Sequence, residues 1–291
     1  MNRRSTRTVP RKKAAAATEP GELLASDAAL QVWCAAAPPG QPVALDTEFV
    51  GERTYYPRLE LLQIKAGDRI ALVDVPACRD WTHLAAWLAD GDRLKILHAA
   101  ESDLPLLFRL TGIWAAPVFD TQLAAAFLGH GAQISLTNLI KSQVRVDVGS
   151  HQTTSDWSQR PLSAAQLDYA ADDVRYLPRL QAQLEEALRR ANRWAWYEEE
   201  QRARLAQMMA QEEDPLDVMY KRVRGWQALK PRDLAVLREL AAWREGVSRT
   251  KDLPRRRLVS DEGLIELARH QPESRQAALG LRRVYPNQIT R

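Results

Sequence analysis

Two acidic side chains lie close together in the segment LDTEF, where Asp46 and Glu48 flank Thr47. The apolar residues before them are typical of a buried strand. Side chains at positions i and i+2 of a strand point to the same face, so the two carboxylates project together. Like charges this close raise each other's pKa unless a cation lies between them. The pattern therefore indicates either a cation site or a solvated strand edge.

Two later segments also place acids where an apolar pattern would not predict them. Asp103 follows the short apolar run LKILH, and Asp173 lies on a predicted helix with Tyr169 four residues before it. Residues at i and i+4 share a helix face, so Tyr169 and Asp173 point to one place. A helix turns by about 100° per residue, so the neighbouring Asp172 is predicted to face solvent.

The elements that must position these acids form an α/β pattern. Three strand signals, VALDTEFV, LELLQIKA and RIALVDV, are separated by short turns, with a hairpin turn at 66–68. Helical segments alternate with apolar runs after them, from WTHLAAWLAD through LKILH to helices ending at Gly112 and Gly129. The order predicts a mixed sheet flanked by helices.

Helix signals are clearest around the third acidic segment. Asp120 is predicted to cap the helix that follows it. Ser163 and Gln166 form a capping box at the start of the helix that carries Tyr169 and Asp173. Pro178 is predicted to kink that helix, because proline removes one ladder hydrogen bond.

Composition places the chain among globular proteins. It has 291 residues, 45% hydrophobic and 27% charged, without a run of signal-peptide or membrane-spanning type, which predicts a cytoplasmic protein without a membrane partner. Its two cysteines, Cys34 and Cys78, lack metal-ligand spacing and are predicted to be buried apolar residues.

Charge is unevenly distributed along the chain. Residues 1–13 carry six basic side chains and no acid, residues 14–212 carry 18 basic and 26 acidic, and residues 213–291 carry 17 basic and 11 acidic. An acidic body with basic ends is expected of a protein that holds cations centrally and a polyanion at its ends, although basic tails are often only solvated. Residues 1–20 are predicted to be a disordered basic arm, and the segment from Leu216 an all-helical unit with Trp226 and Trp243 in its core.

Together, LDTEF, HAAESDLPLL with FDTQLAAAFLG, and SDWSQRPLSAAQLDYAADDVRYL resemble the three exonuclease motifs of the ribonuclease D family. The resemblance implies an RNase H-like mixed sheet over 21–200, a helical linker at 201–212, and a small all-α HRDC-like bundle at 213–291. By the motif match, the metal ligands are Asp46, Glu48, Asp103 and Asp173, and the catalytic tyrosine is Tyr169. A tyrosine rather than a histidine before the last acid resembles the tyrosine subclass of these exonucleases.

The implied chemistry agrees with these residue types. Carboxylates facing one another suit two hard divalent cations, Mg²⁺ or Mn²⁺, that bind the attacking and the leaving oxygen at phosphorus. Tyr169, with a reference pKa of about 10, is a poor base at neutral pH and is expected to orient the attacking water.

Three further residues are candidates for substrate contacts. His98 ends a predicted strand near Asp103, although a satisfied core histidine is the simpler alternative. In the loop before the third motif, Arg160 is predicted to hold a phosphate and Trp157 to stack a base.

The resemblance implies a 3′ to 5′ exoribonuclease that trims structured RNA such as tRNA precursors and releases nucleoside 5′-monophosphates, with nucleic acid also bound by the HRDC-like unit. Some members carry two HRDC-type domains, and a final amphipathic helix would be expected after RRVYPNQITR. The alternatives are a DNA-directed exonuclease of the same fold and a catalytically silent nucleic-acid-binding protein.

Overall fold

The computed structural model describes residues 21–148, 155–212 and 214–284. The predictions for the arm at 1–20, for part of the polar loop at 149–154 and for the last residues fall outside these ranges. No helix in the described ranges is long and apolar enough to cross a membrane.

A sheet of six strands forms the centre of the described N-terminal part, in the order β1-β4-β3-β2-β5-β6. The strands are β1 Glu22–Leu24, β2 Val43–Val50, β3 Arg58–Ala66, β4 Arg69–Asp74, β5 Lys95–Leu97 and β6 Val118–Asp120. The middle strands β2, β3 and β4 pair antiparallel, whereas β1, β5 and β6 join in parallel. The predicted mixed sheet is confirmed.

Helices cover both faces of the sheet. They are α1 Asp27–Ala35, α2 Thr82–Ala89, α3 Leu104–Thr111, α4 Thr121–Phe127, α5 Leu136–Leu139, α6 Ala164–Arg175, α7 Leu177–Arg190 and α8 Trp194–Glu212. One face of β2 contributes Ala44 to a core shared with α4, α6 and α7. The other face contributes Val43 and Leu45 to a core shared with α1, α2 and α3. This alternation is the strand periodicity that the sequence shows.

The predicted capping and packing details agree with the structure. Ser163 and Gln166 form the capping box of α6, and Asp120 accepts hydrogen bonds from backbone N–H groups of the first turn of α4. Cys34 and Cys78 are buried free thiols. Near Pro178 the chain breaks into two helices, α6 and α7, a larger change than the predicted kink.

Two strands are absent from the prediction. The sequence pattern does not predict β1, and it predicts the segment of β6 as part of helix α4. Each has three residues, too few to show a period of two, and is fixed by pairing, β1 with the six-residue strand β4 and β6 with the equally short strand β5.

The C-terminal part is helical, with α9 Pro231–Lys251, α10 Arg255–Leu258, α11 Asp261–His270 and α12 Arg275–Leu279. Its small core includes Leu237, Ala241 and Leu264, with Trp226 half-buried against it. The prediction that Trp243 belongs to this core is wrong, because 45% of Trp243 is exposed. Periodicity along a helix does not distinguish a core aromatic from one at the rim.

This helical unit contacts the loop between β2 and β3. The Tyr55 hydroxyl bonds to the Glu245 carboxylate and accepts from Arg255 Nη2 at 2.8 Å. The backbone N–H groups of Tyr55 and Tyr56 donate to Asp252 Oδ1 at 2.9 and 3.3 Å. The loop that leaves the Asp46–Glu48 strand is therefore held by the C-terminal helices.

Glu245 is the charged centre of this contact. Burial alone would raise its pKa, but hydrogen bonds from Arg255 and Tyr55 lower the pKa of Glu245 to about 2. A depressed carboxylate pKa stabilises the fold above the ordinary value of 4.5, and this contribution is lost as the pH falls towards 2.

We expect Tyr55→Phe to lower the free energy of unfolding by about 1–2 kcal/mol, because Arg255 and Glu245 lose a partly buried hydroxyl partner. Thermal and denaturant unfolding measure this change. Tyr56→Phe is the matched control, since the neighbouring ring stacks under the Arg109 guanidinium and that contact does not use the hydroxyl. Equal effects of the two variants would contradict the role of the Tyr55 hydroxyl.

Candidate active site

Three of the predicted metal ligands come together between β2 and α6. Asp46, Glu48 and Asp173 each offer a carboxylate oxygen, and these oxygens lie within 4.8 Å of one another. Asp46 and Glu48 reach the point from β2, and Asp173 reaches it from α6, which packs across β2, β3 and β4. The strand and the helix thus bring together acids that are more than 120 residues apart in the chain.

Asp103 lies close by but outside this group of three. It precedes α3, is 4% exposed and accepts a hydrogen bond from the Thr47 hydroxyl. Its charge nevertheless contributes to the raised pKa of Asp46 and of Glu48. Direct ligation by Asp103 therefore stays a prediction.

Thr47 was missed as a site residue. It lies between Asp46 and Glu48 but points to the opposite face, where its hydroxyl meets Asp103. The alternation of side chains along a strand predicts the direction of Thr47. Only the folded structure shows that Asp103 is the acid that its hydroxyl contacts on that face.

The acids perturb one another strongly. Burial first, and then the neighbouring carboxylates, raise the pKa of Asp46 well above its ordinary range and that of Glu48 to about 8. Burial also raises the pKa of Asp103 and of Asp173 to about 7. Such a set is unfavourable as four bare carboxylates at neutral pH, and hard divalent cations with oxygen ligands would neutralise it. The donor set fits that class of cation.

Tyr169 adjoins the acids as predicted. Its hydroxyl is hydrogen-bonded to Asp173, one helical turn further along α6. Burial and the charges of Asp173, Glu48 and Asp46 raise the pKa of Tyr169, so the phenol stays protonated at neutral pH. A protonated phenol can donate a hydrogen bond but cannot act as a base.

Asp120 holds the turn that leads to Asp103. Its Oδ1 and Oδ2 accept from the backbone N–H groups of Ala99 and Ala100, both at 3.0 Å. Ala99 has a positive φ of 58°, which is unfavourable for a residue with a Cβ. Asp120 thus joins the cap of α4 to this turn, beyond the capping role that the sequence indicates.

The structure gives the three substrate-contact candidates, His98, Trp157 and Arg160, contacts within the protein. Both ring nitrogens of His98 are bonded within the protein, Nδ1 to Thr121 Oγ1 at 2.9 Å and Nε2 to the Ile134 carbonyl at 3.0 Å. Burial lowers the pKa of His98, which favours a neutral ring. This arrangement supports the alternative of a satisfied core histidine.

Base stacking by Trp157 stays a prediction, which the packing of this residue does not favour. Trp157 is 4% exposed, belongs to the core beneath α6 and lies 6.3 Å from the Tyr169 ring, centroid to centroid. A base needs an open ring face, and the indole faces are covered by protein.

Phosphate binding by Arg160 likewise stays a prediction, which the contacts of its guanidinium do not favour. Its guanidinium donates to Asp74 Oδ1 from Nε and Nη2 at 3.0 and 2.8 Å. The remaining donors bond the carbonyls of Trp157, Gln159 and Glu60. These five contacts use the five N–H groups of an arginine, so the side chain ties the loop to the sheet.

Comparison with known families agrees with the geometry. A 3′-5′ exonuclease family model matches residues 22–189, and an HRDC domain model matches residues 233–291. The first match covers the sheet, the helices from α1 to nearly the end of α7, and the four acids Asp46, Glu48, Asp103 and Asp173.

Curated relatives carry the name ribonuclease D. The protein of Pseudomonas paraeruginosa is 40% identical over 248 residues, which are 85% of this chain and 65% of that protein. The protein of Cronobacter turicensis is 35% identical over 252 residues, 87% of this chain and 68% of that protein. The chain thus spans about two thirds of the length of these relatives.

Solved structures show the same relationship. The crystal structure of Escherichia coli RNase D, described as an exoribonuclease involved in structured RNA processing, aligns with a TM-score of 0.85 and 33% identity over 94% of this chain and 72% of that chain. Brucella melitensis NrnC with bound Mg²⁺ aligns with a TM-score of 0.53 and 30% identity over 66% of this chain and 89% of that chain. By its exonuclease match, its ribonuclease D relatives and the acids on β2 and α6, the chain belongs to the ribonuclease D family.

Proposed function

We propose that this chain is a metal-dependent 3′ to 5′ exoribonuclease that removes nucleotides from structured RNA such as tRNA precursors. The observation that carries the proposal is the group of carboxylate oxygens of Asp46, Glu48 and Asp173, with the Tyr169 hydroxyl bonded to it. Membership of the ribonuclease D family and the name of the E. coli structure support RNA as the substrate.

The residues that would hold the cations are Asp46, Glu48 and Asp173, with Asp103 beside them. When two divalent cations, Mg²⁺ or Mn²⁺, are bound, they would neutralise charge on the reacting phosphate and lower the pKa of the attacking water. The protein contributes the fixed spacing of the oxygens, since β2 and α6 are packed against one core.

Tyr169 has a separate role in this proposal. Its protonated hydroxyl donates to Asp173, and its oxygen orients the attacking water by accepting a hydrogen bond from it. Hydrolysis adds that water to the terminal phosphorus and breaks the bond to the preceding 3′ oxygen, so a nucleoside 5′-monophosphate leaves and a new 3′-hydroxyl remains.

The C-terminal unit would supply nucleic-acid affinity. Residues 213–291 carry 17 basic and 11 acidic side chains, a net positive charge that attracts the RNA backbone. Its match to the HRDC domain supports this role. The division into a catalytic part at 21–200, a linker at 201–212 and this unit stays a prediction, as does a cytoplasmic location.

The experiment is digestion of a 3′-tailed tRNA labelled at its 5′ end, in Mg²⁺, in Mn²⁺ and in EDTA. We expect a descending ladder that EDTA abolishes. Matched DNA and RNA oligomers in the same assay separate the DNA-directed alternative. Binding without shortening in either ion would instead support a silent nucleic-acid-binding protein.

Asp173→Asn should reduce kcat by at least about 10³-fold, because it removes one oxygen charge from the cation site, a change of about 4 kcal/mol in the barrier. Asp172→Asn is the matched control. Its carboxylate accepts from Arg175 Nε at 2.7 Å and is not one of the three grouped acids, so the rate should stay within about twofold of the unaltered protein. Full activity of Asp173→Asn would show that the metal site is assigned wrongly.

Tyr169→Phe should lower kcat by about 10²-fold and leave Mn²⁺ affinity nearly unchanged, because it removes one oriented hydroxyl and no ligand charge. Single-turnover digestion and metal titration measure the two quantities. Tyr176→Phe, a partly buried tyrosine just past the C-terminal end of α6, is the control. A large loss of metal affinity in Tyr169→Phe would mean that the hydroxyl belongs to the ligand set.

Metal binding should depend on pH. The folded metal-free protein holds protons on Glu48, Asp103 and Asp173 up to a pKa of about 8, 7 and 7, whereas the unfolded chain releases them near 4. The folded state therefore binds more protons, and its free energy of unfolding falls as the pH rises from about 5 to 8.

Cations bind the deprotonated acids, so Mg²⁺ should raise the melting temperature more at pH about 8 than at pH about 5.5. Thermal unfolding with and without Mg²⁺, at matched ionic strength, tests this. An equal Mg²⁺ effect at both pH values would contradict the raised pKa values.

A further inference from the structure

Gln63 is a buried polar residue that the exonuclease motifs do not include. It lies in the middle of β3, is 0% exposed, and neither its Oε1 nor its Nε2 has a hydrogen-bond partner among the described residues. Burying an amide without a partner costs free energy, so such a group calls for an explanation in the working state of the protein.

The pairing of the strands places Gln63 beside Asp46. The two residues are direct partners in the antiparallel register of β2 and β3. Side chains directly opposite in such a pair lie on the same face, with Cβ atoms about 4.5–5.5 Å apart. Their neighbours on that face, Ala44 and Leu61, belong to the core that α6 covers with Ala170 and Val174. The Gln63 amide is therefore within reach of the Asp46 carboxylate.

The chemistry of an amide suits this position. Carboxylates that hold metals are themselves hydrogen-bonded from behind, which fixes the direction of their free oxygen. A lysine or arginine here would cancel the negative charge that attracts cations, whereas an amide N–H donates without adding charge. The hydrogen bond that acts on Asp46 in the present structure comes from the backbone at Thr47.

We propose that Gln63 is a positioning residue of the metal site, whose Nε2 donates a hydrogen bond to the Asp46 carboxylate when a divalent cation is bound. This inference rests on the proposed function, because Asp46 must be a ligand. The amide of Gln63 then lacks a partner only until cation binding brings the Asp46 carboxylate into hydrogen-bonding position.

The test is titration of the full chain with Mn²⁺ by calorimetry, with Gln63→Met as the variant. Methionine has a similar length and no donor. We expect Mn²⁺ to bind about 10–100-fold more weakly, while the metal-free variant melts at a higher temperature because the unpartnered amide is gone. Leu62→Met, on the opposite face of β3, is the control and should leave Mn²⁺ affinity unchanged.

The outcomes separate this inference from the proposed function. If the unaltered protein does not bind Mn²⁺, the metal site itself is wrong. If the unaltered protein binds Mn²⁺ and Gln63→Met binds it within about twofold, only the role of Gln63 is overturned, and a raised melting temperature alone would mark it as a purely structural residue.

A second measurement does not depend on the folding of a variant. The side-chain amide of Gln63 in isotope-labelled protein should shift downfield on addition of Mg²⁺, as its protons enter a charge-assisted hydrogen bond. An amide signal that is unchanged at saturating Mg²⁺ would overturn the proposal.

Discussion

Mutual repulsion among partly buried carboxylates is the constraint on which the arrangement of this site depends. Asp46, Glu48 and Asp173 would separate if each were free to turn towards water, and burial makes every one of them harder to ionise. The fold holds them together by taking them from a central strand and from a helix packed across that strand. Both elements contribute side chains to one core, so packing opposes the separation of the acids.

The approach to Asp103 shows the same principle at a turn. Asp120 bonds two backbone N–H groups around Ala99 and also caps α4, so one carboxylate fixes both the turn and the next helix. The Thr47 hydroxyl then meets Asp103 from the strand side. The acid is oriented from two directions before any cation is present, which reduces the entropy that a cation must overcome on binding.

The parts of this site that local pattern determines were predictable from the sequence. The alternation in VALDTEFV places Asp46 and Glu48 on one face, and the spacing of Tyr169 and Asp173 places both on one side of α6. Roles that depend on long-range partners were not predictable. Arg160 has the right chemistry to bind a phosphate, but its N–H groups donate to Asp74 and to backbone carbonyls. Trp157 is aromatic, but its ring is buried by the surrounding protein. Residue type limits what a side chain can do, and packing decides which of those possibilities is used.

The C-terminal helices contact the loop after Glu48, so the HRDC-like unit is connected to the strand that carries Asp46 and Glu48. Tyr55 and Tyr56 lie in the loop that β2 enters on leaving Glu48, and Asp252 and Glu245 hold that loop by its backbone and by a hydroxyl. A displacement of the C-terminal helices would pull on the end of the strand that carries two of the acids. Because those acids act through the spacing of their oxygens, the position of the HRDC-like unit and the geometry of the cation site are joined by a short stretch of β2 and its loop.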